Sequence, residues 1–216
     1  MPERIFIFSK WLAQYFGACL FLISCVFYFQ KRTPGYLKSL SLYCFVNVAS
    51  EVIVYLYPVA QAKTYLVFTL FEGLYFSYLL GFLIRNKKIK KIAVWLPYML
   101  PAYTLWYFLK HRQIPPFNNV VLLESVILMT TCMAYFKETL TSPTPGYSEK
   151  DPAFWIVTGV LFYFGMQIPT LIISAYFIHA KLPALSHAFY SVNNYSLLVT
   201  YCSFLTALIC KTQRTY

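Results

Sequence analysis

The stretch Val67–Arg85, VFTLFEGLYFSYLLGFLIR, decides the fold. It is almost wholly apolar, and a bilayer core is crossed by about 20 such residues in a helix. A single acid, Glu72, stands in its middle, and no basic residue follows until Arg85, more than three helical turns on. The segment therefore reads as a membrane span carrying a carboxyl group with no local partner.

Composition places the rest of the chain with this segment. Of 216 residues, 59% are hydrophobic and only 12% charged, where a soluble domain averages roughly 25% charged. Six further segments are long and apolar enough to span. With Thr64–Ile84, which contains Glu72, they are Phe6–Gln30, Leu40–Tyr57, Ile92–Leu109, Phe117–Phe136, Pro152–Ile178 and Leu185–Cys210. Connections are short, the longest being Glu138–Asp151. The expectation is an all-α polytopic membrane protein. Residues 1–216 form a single domain of seven transmembrane helices, with no β structure and no soluble domain.

The net charge of +11 does not argue for nucleic acid. The cations sit in short connections, where membrane topology puts them, and no RNA- or DNA-binding motif accompanies them. The connections after spans one, three and five, with the C-terminus, hold 12 Lys and Arg against 6 on the other side. The densest cluster is Arg85–Lys91, RNKKIKK, read as a basic loop of Arg85, Lys87, Lys88, Lys90 and Lys91. The positive-inside rule then places the N-terminus outside and the C-terminus in the cytoplasm.

Local signals refine the spans. Asp151 before Pro152 reads as an N-cap followed by proline at the first helical position. Trp11, Trp106 and Trp155 lie near span ends, as interfacial anchors do. Pro97 and Pro101 in the fourth span and Pro169 in the sixth predict kinks or breaks. With only 7 Gly, glycine-mediated close packing is not expected to be general. Leu22–Cys25 (LISC) resembles a lipoprotein cleavage box, but the apolar residues after Cys25 argue against processing.

Seven acids are present. Glu3, Glu138, Glu149 and Asp151 fall at the terminus or in loops, while Glu51, Glu72 and Glu124 fall inside predicted spans. Intramembrane acids are costly and face a bundle interior or a wet cavity. From the helical rise, Glu51, Glu72 and Glu124 lie roughly 9–12 Å below the outer ends of their spans, and Gln167, Asn193 and Asn194 roughly 13–16 Å. Helical spacing puts Tyr43, Asn47, Ser50 and Glu51 on one face, Tyr65, Thr69, Glu72 and Phe76 on another, and His187, Tyr190, Asn194 and Tyr201 on a third. Thr131 stands two turns from Glu124. Converging faces would build an outward-facing polar pocket from Asn47, Glu51, Glu72, Glu124, Gln167, Tyr190 and Asn194. No span carries a Lys or Arg deep enough to pair with these acids. Either they are protonated and act as interhelical hydrogen-bonding glue, or a proton, cation or amine-bearing ligand neutralises them.

Other chemistry finds no support. The six cysteines lie in apolar stretches without a CxxC pair, so neither a disulfide framework nor a thiolate zinc site is expected. His111, His179 and His187 lack metal-binding spacing. There is no span lysine for a retinal Schiff base, and no GxSxG, P-loop or dinucleotide fingerprint. No internal repeat of the kind transporters carry is found between spans one to three and five to seven. No cofactor or metal site is expected, and nothing in the sequence supports an enzymatic activity.

At Asp151–Phe164, DPAFWIVTGVLFYF, the chain resembles an uncharacterised family of small bacterial multi-pass membrane proteins with the pattern DPxFWIxxGxLxYF near the sixth helix. The match comprises Asp151, Pro152, Phe154, Trp155, Ile156, Gly159, Leu161, Tyr163 and Phe164. It extends to Ser50–Glu51, Glu72 and Leu123–Glu124. The resemblance implies a seven-helix protein of the bacterial inner membrane, loosely associated with signalling, and brings no defined activity. Three functions follow as expectations. One is a sensory or signalling module acting through a separate cytoplasmic partner at the basic segment. The others are a carrier or channel for a small molecule or cation, and a non-catalytic scaffold. The bilayer is the expected environment, and a homo-oligomer is compatible with the sequence.

Overall fold

A computed structural model describes residues 2–30, 33–141 and 151–213, with the side chains of residues 2–3 and 211–213 excepted. Lys31, Arg32, Glu149, the side chain of Glu3, most of the longest connection and the C-terminal tail past residue 213 lie outside the described residues.

The described chain is helical and contains no strand. Its helices are α1 (Pro2–Phe29), α2 (Gly35–Leu56), α3 (Gln61–Leu83), α4 (Lys87–Trp95), α5 (Met99–His111), α6 (Phe117–Thr141), α7 (Pro152–His179) and α8 (Pro183–Gln213). Seven helical segments among the described residues are long and apolar enough to cross a membrane, with α4 and α5 together making the fourth. Large apolar side chains such as Leu22, Val26, Val67 and Phe82 are exposed, while Ser and Thr are buried in numbers. That distribution suits a hydrocarbon surround. Most buried hydroxyls return a hydrogen bond to their own helix, as Ser125 does to the Val121 carbonyl and Thr131 to that of Ile127. Those donors are then not left unsatisfied against lipid or a neighbour.

The fourth span breaks where its prolines predicted. A 3-10 turn, Leu96–Tyr98, separates α4 from α5. Pro97 has no N–H to continue the ladder, and its ring crowds the preceding turn. Pro101 falls in the first turn of α5, where a missing N–H costs nothing, and α7 runs unbroken through Pro169.

Two boundaries correct the sequence reading. Lys87, Lys88, Lys90 and Lys91 are not in a loop: they are the opening turns of α4, and only Arg85 of the five cations precedes the helix. Asn86 is the reason, because its side chain accepts the N–H groups of Lys88 at 3.0 Å and Ile89 at 3.4 Å and starts the helix before the apolar run begins. Glu138 is likewise helical, since α6 continues five residues past Phe136 to Thr141. Asp151 caps α7 as expected, accepting the Ala153 N–H at 3.1 Å.

The chain divides into two compact units, Met1–Val48 with Gly146–Tyr216, and Ala49–Pro145. In the first, α8 packs against both α1 and α7. A Cβ added at Gly159 of α7 would stand 3.0 Å from Ser203 Cβ and 3.3 Å from the Thr200 carbonyl oxygen, so a larger residue would have to push α8 back by a few tenths of an ångström. Thr200 uses the close approach, donating its hydroxyl to the Gly159 carbonyl at 2.9 Å. Helix α2 joins α1 through the Ser41 hydroxyl, which donates to the Ser24 carbonyl at 2.7 Å.

In the second unit α3 is central, with α6 and α4 packed along it. Thr69, Gly73, Ser77 and Gly81 recur every four residues on its buried face. A Cβ at Gly81 would stand 2.8 Å from Val94 Cγ2. Glycine-mediated packing is thus confined to a few close approaches.

Candidate functional site: a buried carboxyl pair

Helices α3 and α6 run parallel and in register. Tyr65 meets Phe117 with ring centroids 6.2 Å apart. Glu72 acts electrostatically on Glu124. The backbone N–H of Arg85 meets the Glu138 carboxylate at 3.0 Å. The sequence separation stays at 52 or 53 across all three pairs, which is what the third and fifth spans of an up-and-down chain require.

At the middle level lie the two acids. Glu72 is 6% exposed and Glu124 1%. Glu124 Oε1 is buried and has no hydrogen-bond partner among the described residues. It points at the bare backbone of Gly73, where an added Cβ would stand 3.3 Å from Oε1 and 3.6 Å from Cγ of Glu124. A glycine directly after Glu72 therefore gives the facing carboxyl its room. Ser77 Oγ, one turn further along α3, is also buried without a partner. A buried polar atom left unpaired costs about 1–3 kcal/mol and calls for an explanation.

Glu51 sits at a different level. The Tyr65 hydroxyl donates to its two carboxylate oxygens at 3.3 and 3.4 Å, a long and shared bond. Tyr65 lies two turns before Glu72 on α3, or about 10 Å along the axis. The remaining predicted site residues belong to the other unit. There, Asn47 donates its side-chain amide to the Tyr201 hydroxyl at 2.7 Å, and Asn194 donates to Ser9 Oγ at 3.0 Å. Gln167 is buried on α7, and Tyr190 is half-buried on α8. The structure thus brings together Glu72 with Glu124, Glu51 with Tyr65, and Asn47 with Tyr201.

Four contributors escaped sequence reasoning: Gly73, Leu100, Asn86 and Glu138. The four-residue spacing of small residues in α3 was a readable signal for Gly73. Nothing in the sequence marks Leu100, which reaches Gly73 from the restart of a broken helix: a Cβ on Gly73 would stand 2.5 Å from its Cδ1.

Among the described residues no group of three or more His, Cys, Asp or Glu could hold a metal ion. Two carboxyl groups alone are a thin donor set for a metal, which takes four or more ligands. No protein-family model, no curated protein and no solved structure matches this chain.

Proposed function

We propose that the chain is a sensory or signalling membrane module whose working element is the Glu72–Glu124 pair. The observation that carries this reading is the orphaned Oε1 of Glu124, 1% exposed, facing Gly73 beside a second carboxyl group. A carboxyl group such as that of Glu124, buried in apolar surroundings beside another, holds a proton or a small cation in preference to standing charged. Structural glue predicts the opposite arrangement, with every oxygen satisfied.

The rest of the reading builds on topology. The Lys and Arg distribution supports an N-terminus outside and Arg85–Lys91 on the cytoplasmic side, and the resemblance at Asp151–Phe164 favours a bacterial inner membrane. Arg85, Lys87, Lys88, Lys90 and Lys91 are exposed there. These exposed cations suit an acidic cytoplasmic partner.

A second reading, a proton or cation pathway, draws on one further feature. The discontinuous fourth span restarts beside the acid pair, and broken helices at polar sites are a device of transporters.

Infrared difference spectroscopy of the purified protein in liposomes tests the acid pair. Titration with acid is expected to produce a carboxyl C=O band that Glu72→Gln and Glu124→Gln each remove or shift. A spectrum indifferent to pH and to added sodium, potassium or magnesium would overturn the reading in favour of a scaffold.

A further inference from the structure

We infer that Leu100 is the specificity-determining residue of the acid pair, admitting a proton to Glu124 and excluding hydrated cations. This deepens the reading above and rests on it.

The argument is one of space. Gly73 touches two groups across the gap left by its missing side chain: Leu100 Cδ1 and the Glu124 carboxyl. The Leu100 methyl and the unpartnered oxygen therefore border the same small space. Leu100 itself is fully buried, in a cluster with Leu66, Val120 and Ile127. Val120 and Ile127 stand one turn before and one turn after Glu124 on α6, on the same face. The carboxyl group is thus bracketed along its own helix by two apolar residues that share a buried cluster with Leu100. A proton needs no volume at such a site, whereas a hydrated cation must displace Leu100 or shed its water into an apolar surround.

The placement of Leu100 follows from the chain break. It is the second residue of α5, immediately after the 3-10 turn at Leu96–Tyr98. A straight fourth helix would carry position 100 round by the regular 100° steps of an α-helix; the Pro97 interruption resets that phase. The break thus sets which residue faces Gly73.

On the elements packed against α3, Lys90 of α4 lies over the Phe82 ring at 5.6 Å, towards the basic end. Lys87, Lys88 and Lys91 are exposed, and Tyr103 of α5 packs against the apolar cluster. Cys132 and Tyr135 of α6 lie two and three turns beyond Glu124. On α3 itself Tyr65 is bonded to Glu51, and Tyr75 stacks on Phe71.

The test uses the full chain in liposomes, with two readouts. The first is the carboxyl band measured against pH and against sodium, potassium and magnesium chloride. The second is labelling of Glu124 by a hydrophobic carbodiimide, read by mass spectrometry. The wild-type band is expected to follow pH and ignore the salts. Leu100→Ala is expected to make it respond to at least one cation and to raise Glu124 labelling several-fold, while the near-isosteric Leu100→Met stays like wild type. Should Leu100→Ala fail to fold, Leu100→Val carries the same expectation. A wild-type band that already responds to the salts overturns the role of Leu100. So do Leu100→Ala and Leu100→Val chains that fold yet admit neither cation nor reagent. A wild-type spectrum with no pH response defeats the acid-pair reading itself, which keeps the two failures apart.

Discussion

The carboxylate of Glu138, near the end of α6, accepts the backbone N–H of Arg85 at 3.0 Å on Oε1 and 3.2 Å on Oε2. Its Oε1 also accepts the N–H of Asn86 at 3.1 Å. These amides lead into α4, whose first free N–H groups are taken by the Asn86 side chain. A residue from one spanning helix therefore closes the start of another, and the negative charge sits where the helix dipole favours it. Lys87, Lys88, Lys90 and Lys91 are presented from a capped helical start instead of a loose loop.

Glu138→Ala is expected to destabilise the chain by about 1 kcal/mol, the usual scale for a lost helix cap. Glu138→Gln, which keeps an acceptor oxygen, is expected to lose less. Hydrogen exchange gives the local readout: amides of residues 85–91 should exchange faster in Glu138→Ala, with α7 and α8 unaffected. Uniform acceleration across the chain would place the contact's role elsewhere.

The two close glycine approaches are expected to differ in their tolerance. At Gly159 an added Cβ meets the Thr200 backbone and Ser203 Cβ, atoms that cannot move without shifting α8. At Gly73 the nearest atom is the end of the Leu100 side chain, which can rotate. Gly159→Ala should therefore cost about 1–3 kcal/mol by overpacking, and Gly73→Ala less. Thermal unfolding of the two variants in detergent, side by side, checks the order. The reverse order would contradict the close packing of α7 on α8.

Tyr201 ties two helices through its hydroxyl, which accepts from Asn47 at 2.7 Å. The ring also fills the space in front of Gly17, where a Cβ would stand 3.3 Å from that hydroxyl. Tyr201→Phe keeps the ring but leaves the half-buried Asn47 amide one partner short. Such interhelical bonds average about 0.6 kcal/mol in membranes, so the loss should be small and should vanish on an Asn47→Leu background. A double-mutant cycle of unfolding free energies measures it, and strict additivity would show that the bond contributes nothing.

The fold was largely legible because a bilayer imposes one demand on each segment by itself. About 20 apolar residues in a helix satisfy it wherever their neighbours lie, so seven spans, the Asp151 cap and the break at Pro97 could be read along the chain. Boundaries suffered where polar residues continue a helix into the interface. Lys87–Lys91 and Glu138 looked like loop residues because their charge excludes them from hydrocarbon, yet charge does not exclude them from a helix. What the sequence could not decide is which faces meet. The helical rise predicts similar depths for Glu51, Glu72 and Glu124, yet the structure sets Glu72 near Glu124 and Glu51 against Tyr65 at another level. That choice turns on the parallel register of α3 and α6 and on one missing Cβ at Gly73. It turns also on a leucine re-aimed by a proline turn. These are contacts between segments, set by packing in three dimensions and invisible to any periodicity measured along one helix.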